Sequence, residues 1–256
     1  MVAHMGRQRM TQTPIARLPL CSKADPHMPF DPTRVDCWIF DLDNTLYPAS
    51  ANLFSQIDVL MGRFIADLLG CNTVEARRVQ KMYFHDHGTT LAGLMHYHAV
   101  DPQEFLSFVH NVDMRVLDAA PRLGDRLKAL PGRRIVFTNA DAAYAQRALE
   151  ALDIADCFEA IHDICDMAYR PKPEPSAYAG FIDRFGIDPA RSAFVEDSAR
   201  NLTPAKALGM QTVWIDMATE WGDRAKDDAA IDAMIDDLPR WLDGVLAELA
   251  ATRPLG

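Results

Sequence analysis

Short apolar runs alternate with amphipathic stretches along most of the chain. The runs have the length and composition of buried strands, and the stretches between them have helical spacing, a pattern typical of parallel α/β sheets. The predicted strands are 35–40, 134–137, roughly 160–164, 192–195 and 212–215. The predicted helices are 121–130, 142–152, 174–185 and 204–208. The pattern therefore predicts an α/β fold built on a parallel sheet.

The alternation is interrupted once, between residues 48 and 118. Leu53, Ile57 and Phe64 recur there at helical spacing, and no run is typical of a strand. Asp101, followed by Pro102 and a glutamate at position 104, has the pattern of a helix N-terminus. We therefore expect residues 48–118 to be a helical insertion placed directly after the first strand, with residues 34–47 and 119–256 forming the core.

Composition narrows the functional classes. The 256 residues carry a formal net charge of −10, which disfavours binding to nucleic acid or to an anionic membrane. The five cysteines form no C-x-x-C pair, so we expect them to be reduced, as in a cytoplasmic protein. We expect the protein to be a monomer or a homodimer. Residues 1–33 are predicted to form a disordered extension, and the acidic segment 223–237 a solvated surface.

Four groups of polar residues each follow a predicted strand. Because ligands bind at the carboxyl ends of the strands in open α/β sheets, these groups are expected to converge on one site. They are Asp41-Leu42-Asp43-Asn44-Thr45, Thr138-Asn139, Lys172 between two prolines, and Glu196-Asp197-Ser198.

The acidic residues of this set indicate phosphoryl transfer assisted by a metal ion. A carboxylate such as Asp41 can attack phosphorus and form an aspartyl-phosphate. Asp41 must then stay ionised beside Asp43, Glu196 and Asp197, and like charges so close raise each other's pKa values. A hard divalent cation with oxygen ligands, Mg²⁺ by preference, would relieve the repulsion.

The four groups, in this order, resemble the motifs of the haloacid dehalogenase-like hydrolase superfamily over roughly residues 35–220. The resemblance implies a Rossmann-like core and identifies the insertion at 48–118 as a helical cap. It also implies that Asp41 is the nucleophile and Asp43 the general acid and base. Asp41, Asp197 and Glu196 would hold Mg²⁺ together with the backbone carbonyl of Asp43.

The same resemblance implies a set of phosphate-binding residues. Thr138 and neighbouring backbone amides would hold phosphate oxygens, and Lys172 would neutralise charge on the phosphate and on Asp41. Asn44 and Asn139 are expected to complete the set. An aspartate at position 43 favours phosphatases over carbon–halogen hydrolases, because the leaving oxygen of a phosphate ester needs a proton.

Several stretches resemble the pyrimidine 5′-nucleotidase subfamily in particular. They are FDLDNTLYP at 40–48, HGTTLAGL at 87–94, VHN at 109–111 and FTNA at 137–140. This likeness implies hydrolysis of UMP-like or CMP-like monophosphates, with some cap residues meeting the nucleoside when the cap closes. The candidates are Tyr47, His87, Thr90, Leu94 and His98.

Other interpretations remain open at this point. A phosphatase of another small phosphate ester, or a phosphomutase, would carry the same four groups. A phosphoacceptor signalling module also places acids, a threonine and a lysine at strand ends, although there the acidic pair comes first. The histidines at 85, 87, 96 and 98 could suggest zinc, but their spacing on a helix is poor for it.

Overall fold

The structure is a computed structural model that describes residues 30–216 and 227–252. In these two ranges the chain forms six strands and nine α-helices. The strands are β1 Cys37–Phe40, β2 Arg133–Phe137, β3 Ala160–His162, β4 Ser192–Glu196, β5 Gln211–Ile215 and β6 Ala233–Ile235. The helices are α1 Leu53–Leu69, α2 Thr73–His87, α3 Thr90–His98, α4 Pro102–Val109, α5 Pro121–Ala129, α6 Ala142–Ala151, α7 Pro175–Phe185, α8 Ala199–Ala207 and α9 Leu238–Thr252.

All six strands are parallel and lie in the order β3-β2-β1-β4-β5-β6. The chain first builds outward from β1 through β2 and β3, then returns to the other side of β1 with β4. Phe40 at the end of β1 is paired with Val136 of β2 and with Val195 of β4. The loops after these three strands therefore leave the sheet side by side, at the point where an α/β sheet binds ligands.

The predicted fold class, an α/β protein with a Rossmann-like parallel sheet and a helical insertion after the first strand, is confirmed. Helices α1 to α4 occupy the insertion. The helix start predicted at Asp101 has the expected cap, since the Asp101 side chain accepts from the backbone N–H of Gln103. Asn72 caps α2 in the same way, by accepting from the backbone N–H of Glu75. The exact division into a core and a cap at residues 48 and 118 stays a prediction.

The sequence-based predictions were wrong or incomplete in three places. Helix α8 begins at Ala199 rather than at 204, because Pro204 lies inside the helix and does not begin it. Strand β6 and helix α9 were not predicted. The acidic segment is not simply a solvated surface, because the Asp232 carboxylate pairs with Lys206 and accepts hydrogen bonds from Thr212.

Residues 30–33, which the predicted extension includes, pack on the core. The Phe30 ring lies 6.2 Å from that of Trp38 in β1 and 5.2 Å from that of Trp241 in α9. The rest of the predicted extension, residues 1–29, lies outside the described residues. No helix of the described ranges is long and apolar enough to cross a membrane. Among the described cysteines, Cys37 and Cys157 are buried and none is in a disulfide.

Helices α2 and α3 approach closely at Gly93. A Cβ at this position would lie 2.4 Å from the Cβ of Tyr83 in α2. We predict that Gly93→Ala lowers the free energy of unfolding by roughly 1–3 kcal/mol, because overpacking outweighs the gain in helix propensity. Gly180→Ala is the matched control, since nothing lies within 4 Å of its Cβ position in α7, and it should raise stability by up to about 1 kcal/mol. Urea unfolding measures both, and equal effects would contradict the account.

Candidate active site

Lys172 lies at the centre of a buried group of carboxylates. Its ammonium nitrogen is 2.7 Å from Asp41 Oδ1, 2.7 Å from Glu196 Oε2 and 2.7 Å from the backbone oxygen of Phe137. Asp41 follows β1, Phe137 ends β2 and Glu196 ends β4, so one lysine connects three adjacent strands. These three acceptors use all three N–H donors of the lysine. In this structure Lys172 is therefore hydrogen-bonded to Asp41, Glu196 and the backbone of Phe137 through all of its N–H groups.

One lysine cannot neutralise the acids around it. Burial and the neighbouring Glu196 raise the pKa of Asp41 from 3.8 to about 7, although Lys172 acts in the opposite direction. Burial and Glu196 also raise the pKa of Asp197 well above its ordinary value. For Lys172, burial alone would lower the pKa, but the charges of Asp41 and Glu196 outweigh it and the pKa is raised. The site therefore has an excess of negative charge.

The donor set fits a hard divalent cation. Carboxylate oxygens of Asp41, Glu196 and Asp197 lie within 4.8 Å of one another, and no other such group of acids, histidines or cysteines occurs in the described ranges. Glu196 is already committed on both oxygens, to Lys172 and to the backbone N–H of Ser198. The freer ligands are Asp41 Oδ2, whose neighbour Thr45 Oγ1 is 3.4 Å away, and the carboxylate of Asp197. Oxygen ligands of this kind suit Mg²⁺.

Two side chains contact the loop that carries Asp197. The indole of Trp214 in β5 donates to the backbone oxygen of Asp197 at 2.8 Å. Asn44 Nδ2 lies 3.5 Å from Asp197 Oδ2 on the other side. Asn44 has φ +60°, a left-handed conformation that asparagine tolerates and that turns the chain sharply after Asp43. The sharp turn thus brings the β1 and β4 loops together.

Asp43 has a separate environment from the other acids. Its Oδ1 accepts hydrogen bonds from the hydroxyl of Tyr47 and, at 2.6 Å, from that of Tyr144 in α6. Burial raises the pKa of Asp43, and the two tyrosine hydrogen bonds oppose the shift. Asp43 and Asp41 line the same cavity. A carboxyl group with a raised pKa at this position can both donate and accept a proton.

Two of the predicted phosphate-binding residues, Thr138 and Asn139, follow β2. Thr138 Oγ1 accepts from the N–H of Ala140 at 3.0 Å, which leaves its own O–H free to donate. The Asn139 side chain instead bonds both the N–H and the C=O of Lys172, so it holds the lysine loop in place. Asn44, Thr138 and Asn139 all line the cavity. Three of the four groups predicted from the sequence thus line one cavity. The fourth, Lys172, is buried behind the lining and contacts it through Asp41 and Glu196.

Helices α1 to α4 roof this cavity with apolar side chains. Of the predicted cap contacts, Thr90 lines the cavity, and Tyr47 reaches Asp43 from beneath. His87, Leu94 and His98 lie outside the lining residues. Leu94 is fully buried among the helices, and His98 Nε2 pairs with the Tyr83 hydroxyl at 2.8 Å. These three are therefore not carried into the proposed site.

A family comparison agrees with this geometry. The family model for haloacid dehalogenase-like hydrolases matches residues 35–209, more than half of the chain. The chain belongs to this hydrolase family. The match begins before β1 and ends after α8, so all four groups of the hydrolase site lie inside it. It leaves the signalling-module interpretation without support.

Two curated relatives have names that refer to phosphate. The hydrolase is 24% identical to Phosphate metabolism protein 8 of Saccharomyces cerevisiae over 226 residues, 82% of this chain and 67% of that protein. It is 30% identical to the phosphoglycolate phosphatase of Escherichia coli K12 over 125 residues, 46% of this chain. That alignment spans 49% of the phosphatase, about half its length.

Solved structures support the fold. A HAD phosphatase from Thermococcus onnurineus superimposes with a TM-score of 0.57 at 20% identity, covering 84% of this chain and 99% of that one. A magnesium-bound putative HAD-hydrolase, YfnB from Bacillus subtilis, gives a TM-score of 0.55 at 14% identity, covering 83% and 99%. At these identities the likeness extends to the fold alone.

Three residues that shape the site were not predicted from the sequence: Tyr144, Arg200 and Trp214. Arg200 in α8 donates to the backbone oxygens of Phe84 and Gly88 at the end of α2, and its guanidinium lies 4.1 Å from the centroid of the Phe84 ring. It therefore joins the acidic loop to the helical insertion. An aromatic or basic residue in a helix or strand carries no local sequence signal for a contact with a distant loop or helix. These contacts are visible only in the folded structure.

The raised pKa of Asp41 predicts how stability depends on pH without metal. Between pH 3.8 and about pH 7 the Asp41 carboxyl binds its proton more tightly in the folded state than in the unfolded chain. The contribution of Asp41 to stability is thus present at low pH and lost as pH rises through about 7. In EDTA, we expect the free energy of unfolding of wild type to fall between pH 4 and pH 8 by on the order of 2–4 kcal/mol more than that of Asp41→Asn.

Chemical unfolding at a series of pH values, with wild type and Asp41→Asn compared, measures the difference. Added Mg²⁺ should flatten the wild-type profile more than that of the variant, which keeps Asp197 and Glu196 but lacks the Asp41 carboxylate. Parallel profiles of the two proteins in EDTA would contradict the electrostatic account.

Proposed function

We propose that the protein is a Mg²⁺-dependent phosphatase that acts through an aspartyl-phosphate on Asp41. The observation that carries the proposal is the position of Asp41, which lies between Lys172 at 2.7 Å and the carboxylates of Glu196 and Asp197, at the floor of a cavity. A nucleophilic carboxylate beside a cation and a metal-binding acid pair is suited to phosphoryl transfer.

The proposed reaction has two steps. A carboxylate oxygen of Asp41 attacks phosphorus while the bond to the leaving oxygen breaks, and Asp43 gives that oxygen its proton. Water then attacks the phosphorus of the acyl phosphate, and the Asp43 carboxylate takes a proton from it as phosphate leaves and Asp41 is regenerated. Throughout, Thr138 holds a phosphate oxygen, and Lys172 keeps Asp41 oriented and neutralises charge.

Asp41, Asp197 and the backbone carbonyl of Asp43 are the proposed metal ligands, with Glu196 behind them. The metal would supply charge neutralisation between the nucleophile and the phosphate. In the described residues no hydrogen bond reaches the carbonyl oxygen of Asp43, which leaves it available as a ligand. Lys172 holds Glu196 in place, so Glu196 is better suited to ligation through water than to direct ligation.

For the substrate we propose a pyrimidine nucleoside 5′-monophosphate, with helices α1 to α4 acting as the cap. The roof that these helices supply would cover the flat apolar face of a base. The cavity residues that form it are Phe54, Ile57, Met61, Leu91, Phe105, Leu106 and Val109. Thr89 and Thr90 add hydroxyl groups to the lining.

A small acidic ester is the second candidate, because the hydrolase resembles phosphoglycolate phosphatases. The carboxylate of such a substrate needs a cation. Arg200 lines the cavity, but its guanidinium already donates to two cap carbonyls. This favours the nucleotide. A phosphomutase would use the same residues and differ in its product.

A panel of phosphate esters tests the activity. With Mg²⁺ we expect release of inorganic phosphate, and with EDTA we expect none. Asp41→Asn should lower kcat/KM by at least about 10³-fold, because the nucleophile is lost. A folded wild-type protein that releases no phosphate from any ester with Mg²⁺ would rule out the proposed function.

The apolar roof predicts substrate preference. We expect kcat/KM for UMP or CMP to exceed that for phosphoglycolate by about 10-fold or more, since one buried apolar contact is worth roughly 1–3 kcal/mol. Phe105→Ala should reduce the UMP value and leave the phosphoglycolate value nearly unchanged. Equal losses on both substrates, or a wild-type preference for phosphoglycolate, would remove the nucleotide assignment and keep the phosphatase.

A further inference from the structure

Two tyrosines converge on one oxygen of Asp43. The hydroxyl groups of Tyr47 and Tyr144 both donate to Oδ1, and the two hydroxyl oxygens are 3.1 Å apart. Both tyrosines are buried. Oδ2 of Asp43 has no hydrogen-bond partner in the part of the chain that the structure describes, and Asp43 itself is half-buried and lines the cavity.

The asymmetry between the two oxygens has a chemical consequence. A carboxyl group that delivers a proton must carry it on the oxygen that faces the leaving group. Two O–H donors on Oδ1 leave little room for a proton there, and rotation that exchanges the oxygens would break both hydrogen bonds. The proton of the acid form is thereby kept on Oδ2.

The position of Tyr144 is itself set by neighbouring residues. Its ring stacks on the imidazole of His110 with centroids 4.3 Å apart and an interplanar angle of 21°. His110 follows α4, and its Nδ1 pairs with Asp141, which also caps the first turn of α6 by accepting from the N–H of Tyr144. Arg147 of α6 donates to the backbone oxygen of His110. The C-terminal end of the insertion is thus linked to Asp43 through the stacked rings of His110 and Tyr144.

We propose that Tyr47 and Tyr144 are positioning residues that hold Asp43 Oδ1 and so aim Oδ2 at the leaving oxygen of the substrate. This inference rests on the proposed phosphatase function. It assigns to Tyr47 a role different from the substrate contact expected from the sequence. It also gives Tyr144 a role that packing alone does not require.

The test compares leaving groups. We take kcat/KM, which covers the steps up to departure of the leaving group, for UMP and for p-nitrophenyl phosphate. An alkoxide needs a proton as it leaves, whereas p-nitrophenolate leaves without one. Tyr144→Phe and Tyr47→Phe should each lower kcat/KM for UMP about 10-fold or more and that for p-nitrophenyl phosphate less than about 3-fold.

Asp43→Asn should cause the largest loss of kcat/KM for UMP relative to that for p-nitrophenyl phosphate. Adding either tyrosine substitution to Asp43→Asn should change this ratio little, since the residues act as one unit. Tyr178→Phe is the matched control. It removes a buried hydroxyl bond of 2.6 Å, to the backbone oxygen of Asn201, without touching Asp43. Any loss in this variant should be the same for both esters.

Equal losses on the two esters in the tyrosine variants, or no loss on UMP, would overturn the proposal. A crystal structure of the double variant gives a readout independent of turnover. Asp43 should adopt another side-chain conformation or several, and an unmoved Asp43 would also overturn the proposal. If wild type hydrolyses neither ester, the phosphatase function fails, while the displaced Asp43 would still support the positioning role of the two tyrosines.

Discussion

The site depends on an imbalance of charge at the carboxyl edge of the sheet. Asp41, Glu196 and Asp197 lie within 4.8 Å of one another, and Lys172 is the cation placed among them. Burial removes the water that would otherwise stabilise the carboxylates, so the pKa values of Asp41 and Asp197 rise. Such an arrangement is unfavourable for an isolated protein, and the proposed divalent cation would relieve it. A cost in stability that a ligand relieves is typical of a functional site.

The topology of the sheet explains why these residues meet. Strand β1 lies between β2 and β4, and the loops after all three point to the same edge. Lys172 comes from a loop far along the chain, yet its side chain reaches the ends of all three strands. The insertion after β1 then covers the edge, and Arg200 ties it to the loop that carries Asp197. The same topology thus brings together the Asp41 carboxylate, the lysine that pairs with it and the helices that cover both.

The sequence was informative where a residue type and its position relative to a strand agreed. Asp41, Thr138 and Asp197 could be predicted because polar residues directly after buried strands of a parallel sheet converge. Lys172 lies well beyond the end of β3 at His162, and its prediction rested on the resemblance of its proline-flanked loop to a family motif. Tyr144, His110 and Arg200 could not be predicted, because their roles depend on contacts between a core helix and the insertion. Leu94 ends a stretch, 87–94, that resembles a subfamily, and His98 follows it, but only residues 88–91 of this part of the chain line the cavity. Strand β6 is three residues long, too short to show a period.

The most direct test of the central claim is to trap the proposed phosphoenzyme. Wild-type protein is mixed with substrate and Mg²⁺, quenched in acid within milliseconds to seconds, and digested for mass spectrometry. The account predicts one phosphoryl group on the peptide that contains Asp41, labile to hydroxylamine, absent in EDTA and absent in Asp41→Asn. Rapid turnover with an unmodified Asp41 at every quench time, or a phosphoryl group on another residue, would contradict it.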